Sequence, residues 1–427
     1  MGDDMITAAG VSAPMKVVLL CHSDAFGGAA IVTYRLMYAL RSCGVDARMV
    51  VFNKSTEDEL VDSYGKRADR GMTFLGERLR IALANGFSRR NLFKVSTAST
   101  GLNIHRHPWI KEADVVVLNW INQGFVSLSG IRKIAAMGKP IVWTMHDMWP
   151  LTGICHHAYE CRGYKTECGN CQFLSGRKAN DLSHKVWKKK QHLYDEVPVT
   201  FVAVSNWLAE RCRESSLLRG REVRVIPNAF PIDSFTIDTT ADLGNLALKK
   251  NVIIMGAARL DDPIKGLGYA INALNHLFDN EPELARDSQA LLFGELRDRT
   301  CLDSLRFPYR HLGRIHDPNL LRQLYASSKV VLSASLYETL PGTVIEGMAA
   351  GCVPVSFGRG GQRDIFTHKT TGYIAEYKNY VDLAEGIKWA LTSELKPDAL
   401  HEEVRRRFSF ASVAQNYVDL FATLVGR

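Results

Sequence analysis

The chain has 427 residues, longer than a single hydrophobic core usually grows, so two domains of ordinary size are expected. Hydrophobic residues make up 46% and charged residues 23%, close to globular averages, which sets aside a wholly disordered, collagenous or coiled-coil chain. Lysine plus arginine (53) exceed aspartate plus glutamate (45), a modest excess that favours an anionic partner without naming one.

Residues 1–14 carry Asp3 and Asp4 instead of a basic segment followed by an apolar stretch, and no apolar run reaches the roughly 18 residues that span a bilayer. A cytoplasmic protein is therefore expected. Residues 16–21 (KVVLLC) read as a buried strand, followed by a turn at Gly27 and Gly28 and a helical pattern over 29–43. That turn is not Gly-x-Gly-x-x-Gly and lacks the later acidic residue of a dinucleotide ribose contact, so it is not read as an NAD site. Tight strand-to-helix packing is its alternative role. Further apolar runs follow at 47–52, 115–118, 141–144, 201–204 and 223–226.

A polar stretch with Pro227, Asn228 and Pro231, then a Thr/Asp-rich run over 236–242, marks a linker and a boundary near residue 235. Strand patterns restart at 252–257, 290–293, 330–333 and 353–356, with helical patterns from Leu267, Leu320, Thr343 and Tyr380. The expected class is α/β: two doubly wound parallel-sheet domains, 1–235 and 236–400, each covered by helices on both faces. The final segment, 401–427, is helical by its spacing; it fits any surface, and packing back on the first domain is the expectation. Ligands of such sheets lie beyond the carboxyl ends of the strands.

Two stretches concentrate positive charge. Residues 66–94 hold Lys66, Arg67, Arg70, Arg78, Arg80, Arg89, Arg90 and Lys94 against Asp69 and Glu77, with Met72, Leu75, Leu79 and Leu83 at helical spacing. Two readings stand: a basic amphipathic helix resting on an anionic membrane, or a solvated helix face. The second stretch, 177–190, surrounds Trp187.

Residues 335–354 (SLYETLPGTVIEGMAAGCVP) place Glu338 before a helix and Glu346 in its first turn. A helix N-terminus offers free N–H groups and the positive end of a dipole, so 340–344 suits a phosphate. Thr343 and Glu346 also fit a capping box, which explains Glu346 by helix stability alone. That explanation leaves out Glu338, and it leaves out Arg259 and Lys265 after the second domain's first strand, two cations able to balance a diphosphate.

Glu338-x7-Glu346 followed by Ala349-Ala350-Gly351-Cys352-Val353-Pro354 resembles the signature of the retaining GT-B glycosyltransferases of family 4, and the cysteine-containing insert below resembles those of capsule and exopolysaccharide (colanic-acid-type) enzymes. The segment with Arg259 and Lys265 resembles the family's diphosphate-binding motif. The opening glycine turn, His146, Val204-Ser205-Asn206, Ile226-Pro227-Asn228 and Gly372 fall in the family's order.

The resemblance implies a cleft between two Rossmann-like domains, acceptor on the first and nucleotide sugar on the second. Arg259 and Lys265 would hold the donor diphosphate, Glu346 the ribose, Glu338 the sugar hydroxyls, and Gly342 and Thr343 the phosphate through backbone N–H; Gly27 and Gly28 would face the cleft. His146 would orient sugar or acceptor near the anomeric carbon. The donor would be a UDP- or GDP-sugar and the acceptor a saccharide or lipid-linked saccharide, with no catalytic metal. Thr339-Leu340-Pro341, Ala229-Phe230 and Asp364 depart from the family's commoner residues, and a shorter carboxylate at Asp364 reaches less far towards a sugar.

Four of the nine cysteines, Cys155, Cys161, Cys168 and Cys171, fall within 155–171, and Cys168-x2-Cys171 has knuckle spacing. A closed structural zinc site and ordinary free thiols are both consistent with it. A nucleotide-sugar epimerase or hydrolase is the nearest rival activity; a nucleic-acid-binding protein built on the cysteines, Trp187 and the basic runs lacks a recognisable module.

Overall fold

A computed structural model describes residues 13–237, 246 and 248–426. The segment 1–12 and residues 238–242 of the Thr/Asp-rich run lie outside the described residues. Strands β1 (Lys16–Ser23), β2 (Asp46–Asn53), β3 (Val61–Ser63), β4 (Val115–Leu118), β5 (Ile141–Met145), β6 (Val199–Ala203) and β7 (Val223–Val225) form one parallel sheet in the order β3-β2-β1-β4-β5-β6-β7. Strands β8 (Asn251–Arg259), β9 (Ser288–Glu295), β10 (Tyr309–His311), β11 (Val330–Ser333), β12 (Val353–Phe357) and β13 (Tyr373–Ala375) form a second, in the order β10-β9-β8-β11-β12-β13.

Both orders reverse direction at the strand that starts the sheet: β1 lies between β2 and β4, and β8 between β9 and β11. Each domain is thus doubly wound, with a switch point where successive crossovers leave on opposite faces. The continuous apolar runs became interior strands because both faces of a parallel sheet are buried, except the run at 223–226, which forms the partly exposed edge strand β7. Three strands had no sequence signal: β3, β10 and β13, each of three residues at a sheet edge, where partial exposure interrupts the apolar pattern.

Alternation along β1 divides the first core. Val17 and Leu19 join one cluster with Leu36, Met37 and Leu40 of the helix Gly28–Ser42, whereas Val18 and Leu20 join the cluster on the opposite face. The first cluster is completed from the far end of the chain: Val413, Ala414, Tyr417 and Phe421 of the helix Phe410–Val425 are buried in it, and the Tyr417 hydroxyl lies 2.8 Å from Thr144 Oγ1. Phe230 N donates to Phe408 O at 2.8 Å, tying the crossing segment to the chain that leads back. Among the described residues no helix is long and apolar enough to cross a membrane.

The basic stretches divide by burial. In the helix Arg67–Ala84, Arg78 is buried beside Glu77 at 3.1 Å, and Arg70 donates to Phe52 O at 3.0 Å, so both are structural. Trp187 and Lys190 are also interior: the Trp187 indole donates to Ser216 Oγ at 3.1 Å, and Lys190 Nζ donates to Thr152 O at 2.9 Å over the Trp149 ring. Burial pushes the Lys190 pKa well below its ordinary value. This removes Trp187 and Lys190 from any nucleic-acid surface.

Candidate active site

The carboxyl ends of β8 and β11, neighbours at the second switch point, deliver most of the expected site. Arg259 ends β8, and the loop after it turns at Lys265; Glu338 lies in the loop after β11, which leads into the helix Gly342–Ala349. Lys265 Nζ and Glu338 Oε1 form a tight ion pair. Burial lowers the Lys265 pKa, but the Glu338 carboxylate, aided by Asp262, outweighs it and holds the ammonium above its usual range. Arg259 approaches Asp262 at 3.2 Å and Asp261 at 3.3 Å, yet its Nε is misaligned with Asp261 Oδ1 and neither atom finds a hydrogen-bond partner.

The helix Gly342–Ala349 begins after Pro341, and no side chain caps it. The capping-box explanation of Glu346 therefore fails: Glu346 is the fifth residue of the helix, beyond its first turn, and its Oε1 accepts from Arg35 of the first domain at 2.9 Å. The N–H groups of Gly342 and Thr343 sit at this uncapped end, where the backbone favours an anion. Gly342 is pressed on Phe230, whose ring would lie 3.0 Å from an added Cβ.

Glu338 is held by its own loop. Gly361 N donates to Glu338 O at 3.0 Å, and a Cβ at Gly360 (φ +88°) would lie 2.4 Å from that same oxygen, so glycine is required on both counts. The preceding Tyr337 inserts into the first domain, its ring 5.2 Å from Trp207 and its hydroxyl on Met148 Sδ. Thr339 Oγ1 donates to His146 O at 2.9 Å.

His146 follows β5, and its Nε2 lies 2.9 Å from Asn119 Oδ1. Burial lowers its pKa to about 4, Asp147 opposing, so it is a neutral imidazole near neutral pH. Asp147 is held at about 2: burial raises it, but His156, at 2.7 Å, and the Trp149 N–H overcome that. The Trp120 indole also donates to Asp147, at 2.9 Å.

Gly27 (φ +96°) precedes the helix Gly28–Ser42, whose N-terminus has no side-chain cap, and an added Cβ on Gly27 or Gly28 would meet nothing within 4 Å. These glycines are not there for tight packing. Asp364, placed in sequence beside a sugar, caps a first-domain helix across the interface, accepting from Trp207 N at 3.0 Å.

Cys155, Cys161, Cys168 and Cys171 line one small cavity, joined by Tyr164 and Phe173. Among the described residues no group of three or more His, Cys, Asp or Glu side chains is placed to hold a metal ion. Burial raises the thiol pKa of Cys155, Cys168 and Cys171 above the ordinary value, the last two to about 12 and about 11.

Sequence reasoning missed Arg35, Tyr337, Asn119 and the Ser96–His156–Asp147 chain. Of these, Tyr337, Asp147 and His156 had a local signal, lying next to Glu338, His146 and Cys155, and the others had none.

Two family models match the chain in succession: "Glycosyltransferase Family 4" over residues 26–234 and "Glycosyl transferases group 1" over 244–407. An uncharacterized glycosyltransferase of Methanocaldococcus jannaschii is 24% identical over 298 residues, 65% of this chain and 73% of that one. A protein of Escherichia coli named for colanic acid biosynthesis glycosyl transfer, WcaC, is 32% identical over 108 residues, 24% of this chain and 26% of that one. The crystal structure of HepE from Anabaena, in complex with UDP and glucose, superposes with a TM-score of 0.61 at 16% identity, covering 96% of this chain and 100% of that one. Matched in both halves and sharing this two-domain architecture, the chain belongs to the family 4, group 1, glycosyltransferases of GT-B fold.

Proposed function

We propose that the protein is a retaining, metal-independent glycosyltransferase that moves a sugar from a UDP- or GDP-sugar to a saccharide or lipid-linked saccharide during surface polysaccharide synthesis. Residues 1–235 hold the acceptor, 236–400 the donor, and 401–427 pack back on the first domain. The observation that carries this reading is the convergence, at one switch point, of Arg259, Lys265, Glu338 and an uncapped helix N-terminus at Gly342 and Thr343. The HepE complex with UDP and glucose and the name of WcaC support the donor class and the polysaccharide role.

In this reading the bond from the anomeric carbon to the diphosphate oxygen breaks with its electron pair leaving on the diphosphate. Arg259, Lys265 and the helix amides stabilise that charge as the acceptor hydroxyl attacks on the same face and passes its proton to the departing diphosphate oxygen, so no protein nucleophile is needed. Glu338 binds sugar hydroxyls, Glu346 the ribose after exchanging Arg35, and neutral His146 orients the reacting groups; Gly27 and Gly28 leave open backbone beside the cleft. Melting temperature across UDP-, GDP-, ADP- and dTDP-sugars tests it, because a ligand of the folded state must stabilise it. A base-selective rise lost in Arg259→Ala is expected, with product analysis showing transfer instead of epimerisation or hydrolysis; no rise with any of them refutes it.

Two further parts belong to the same reading. Cys155, Cys161, Cys168 and Cys171 around this cavity are the residues that would hold a closed structural zinc, with no chemical role; as they stand they are not placed as a metal site, and free thiols are the other reading. Well under one zinc per purified, unchelated chain rejects it. Residues 66–94 contact an anionic membrane at the inner face of the plasma membrane: Met72, Leu75, Leu79 and Leu83 are 66%, 64%, 55% and 56% exposed along one helix face, with Phe87 and Phe93 beyond and Arg67, Arg80, Arg89, Arg90 and Lys94 around them. Co-sedimentation with phosphatidylglycerol vesicles, lost in Leu75→Ser/Leu79→Ser and absent with phosphatidylcholine, is expected; equal sedimentation of the variant refutes the contact.

A further inference from the structure

The cysteine-rich insert opens with two adjacent histidines of opposite fate. His156 is fully engaged: its Nδ1 lies 2.7 Å from Asp147 Oδ2 and its Nε2 3.0 Å from Ser96 Oγ. Its backbone is pinned as well, by Met148 N donating to His156 O at 2.9 Å and by a bridge between Val95 and Cys155. The chain therefore enters position 157 from a fixed platform.

His157 turns the other way. Its ring packs edge-on to Tyr337 with centroids 5.0 Å apart, and Tyr337 immediately precedes Glu338. The charges of Asp147, His156, Glu338 and Lys265 all act on it, so the imidazole lies within electrostatic range of the Lys265–Glu338 pair. His157 Nδ1 is buried and has no hydrogen-bond partner. A buried polar atom without a partner is costly, and in a native structure it calls for a ligand or a water.

The insert carrying His157 is tied to the second domain: Glu160 Oε1 lies 2.8 Å from the Arg359 guanidinium, and the Tyr159 ring lies 5.6 Å from Tyr337. His157 thus stays with the Tyr337–Glu338 loop instead of swinging with a free surface segment.

We propose that His157 is a specificity-determining residue that hydrogen-bonds a hydroxyl of the donor sugar held at the Lys265–Glu338 site. The proposal rests on the nucleotide-sugar reading above and deepens it. The partner chemistry follows from the ring: burial lowers its pKa, so near neutral pH it presents one donor and one acceptor nitrogen. A hydroxyl both donates and accepts and suits such a group, whereas a phosphate is better served by the neighbouring Lys265 and Arg259.

The test compares wild type, His157→Ala and His157→Asn as full-length proteins, measuring the affinity for the nucleoside diphosphate alone and for the matching nucleotide sugar, with kcat and KM for transfer. His157→Ala is expected to weaken nucleotide-sugar binding about tenfold, an effect of one lost hydrogen bond, while leaving affinity for the bare diphosphate within twofold. His157→Asn, which keeps an amide near the Nδ1 position, is expected to recover part of the loss. Equal affinities for the nucleotide sugar in wild type and His157→Ala overturn the proposal alone. Equal losses for nucleotide sugar and bare diphosphate also overturn it, by showing that the ring merely supports Tyr337. A wild-type protein that binds no nucleotide sugar overturns the transfer reading and this inference with it.

Discussion

Lys265→Ala separates the two roles that the structure gives to one ion pair. The side chains of Lys265 and Glu338 are 29% and 19% exposed, between a surface pair worth little and a buried pair whose breakage costs several kcal/mol. Removing the ammonium leaves the Glu338 carboxylate half-buried without its cation, and a loss of about 1–2 kcal/mol is expected, or roughly 2–8 °C in Tm for a domain of ordinary size. Removing both groups, in Lys265→Ala/Glu338→Ala, takes away the unpaired charge. The double variant is therefore expected to recover most of the single variant's stability, a coupling of about 1–2 kcal/mol. Turnover behaves differently. Lys265 is proposed to stabilise the leaving diphosphate, and losing one such group costs on the order of 10²–10³ in kcat, which the second substitution does not restore. Thermal unfolding and steady-state transfer by the four proteins of the cycle give both readouts. Additive losses of stability, or turnover by Lys265→Ala within threefold of wild type, refute the reasoning.

Gly360→Ala forces a Cβ to 2.4 Å from Glu338 O at φ +88°. A stability loss of about 1–2 kcal/mol is expected from the left-handed backbone alone, with a fall in kcat/KM as Glu338 shifts; unchanged melting and kinetics refute it. Arg35→Ala releases Glu346 from a partly exposed ion pair, so ribose no longer competes with the guanidinium, and nucleotide affinity is expected to tighten about two- to fivefold by calorimetry. Weaker binding would make Arg35 itself a ligand contact. His22 and His146 are both held at about 4 by burial, against an ordinary value near 6.5. Between these pH values the unfolded chain binds more protons than the folded one, so stability rises with pH from 4 to 6.5 and is lost as pH falls through that window. Each contributes on the order of a few kcal/mol at most. Tm against pH is expected to flatten in His22→Asn and His146→Asn; slopes equal to wild type refute the assignment.

The interior strands were legible because a strand buried on both faces needs consecutive apolar residues, as KVVLLC in β1 shows, and runs this short with turn residues after them favour strand over buried helix. Arg259, Lys265 and Glu338 could be singled out as candidates for a related reason, since they lie at or past strand ends, where a parallel sheet leaves its open crevice, whereas His146 became a candidate through the family resemblance. Residues whose role depends on a distant partner were not. Arg35 meets Glu346 across 311 positions, Asp364 caps a helix that begins 158 positions earlier at Asn206, and no local spacing encodes either pairing.

Charge and aromaticity misled wherever burial decided the outcome. Lys190 and Trp187 look in sequence like a basic, aromatic surface, but they face the interior because neighbouring carbonyls and Ser216 satisfy their polar atoms there. His156 and His157 are chemically identical and adjacent, and only the folded chain gives one a complete set of partners and sets the other against the Tyr337 ring with an unpartnered Nδ1. By itself the sequence determined the doubly wound sheets and the strand ends that border their crevices, because periodicity and strand-end position are local properties of the chain. The tertiary structure alone decided which cation faces which carboxylate across the cleft, because those distances depend on packing two domains together.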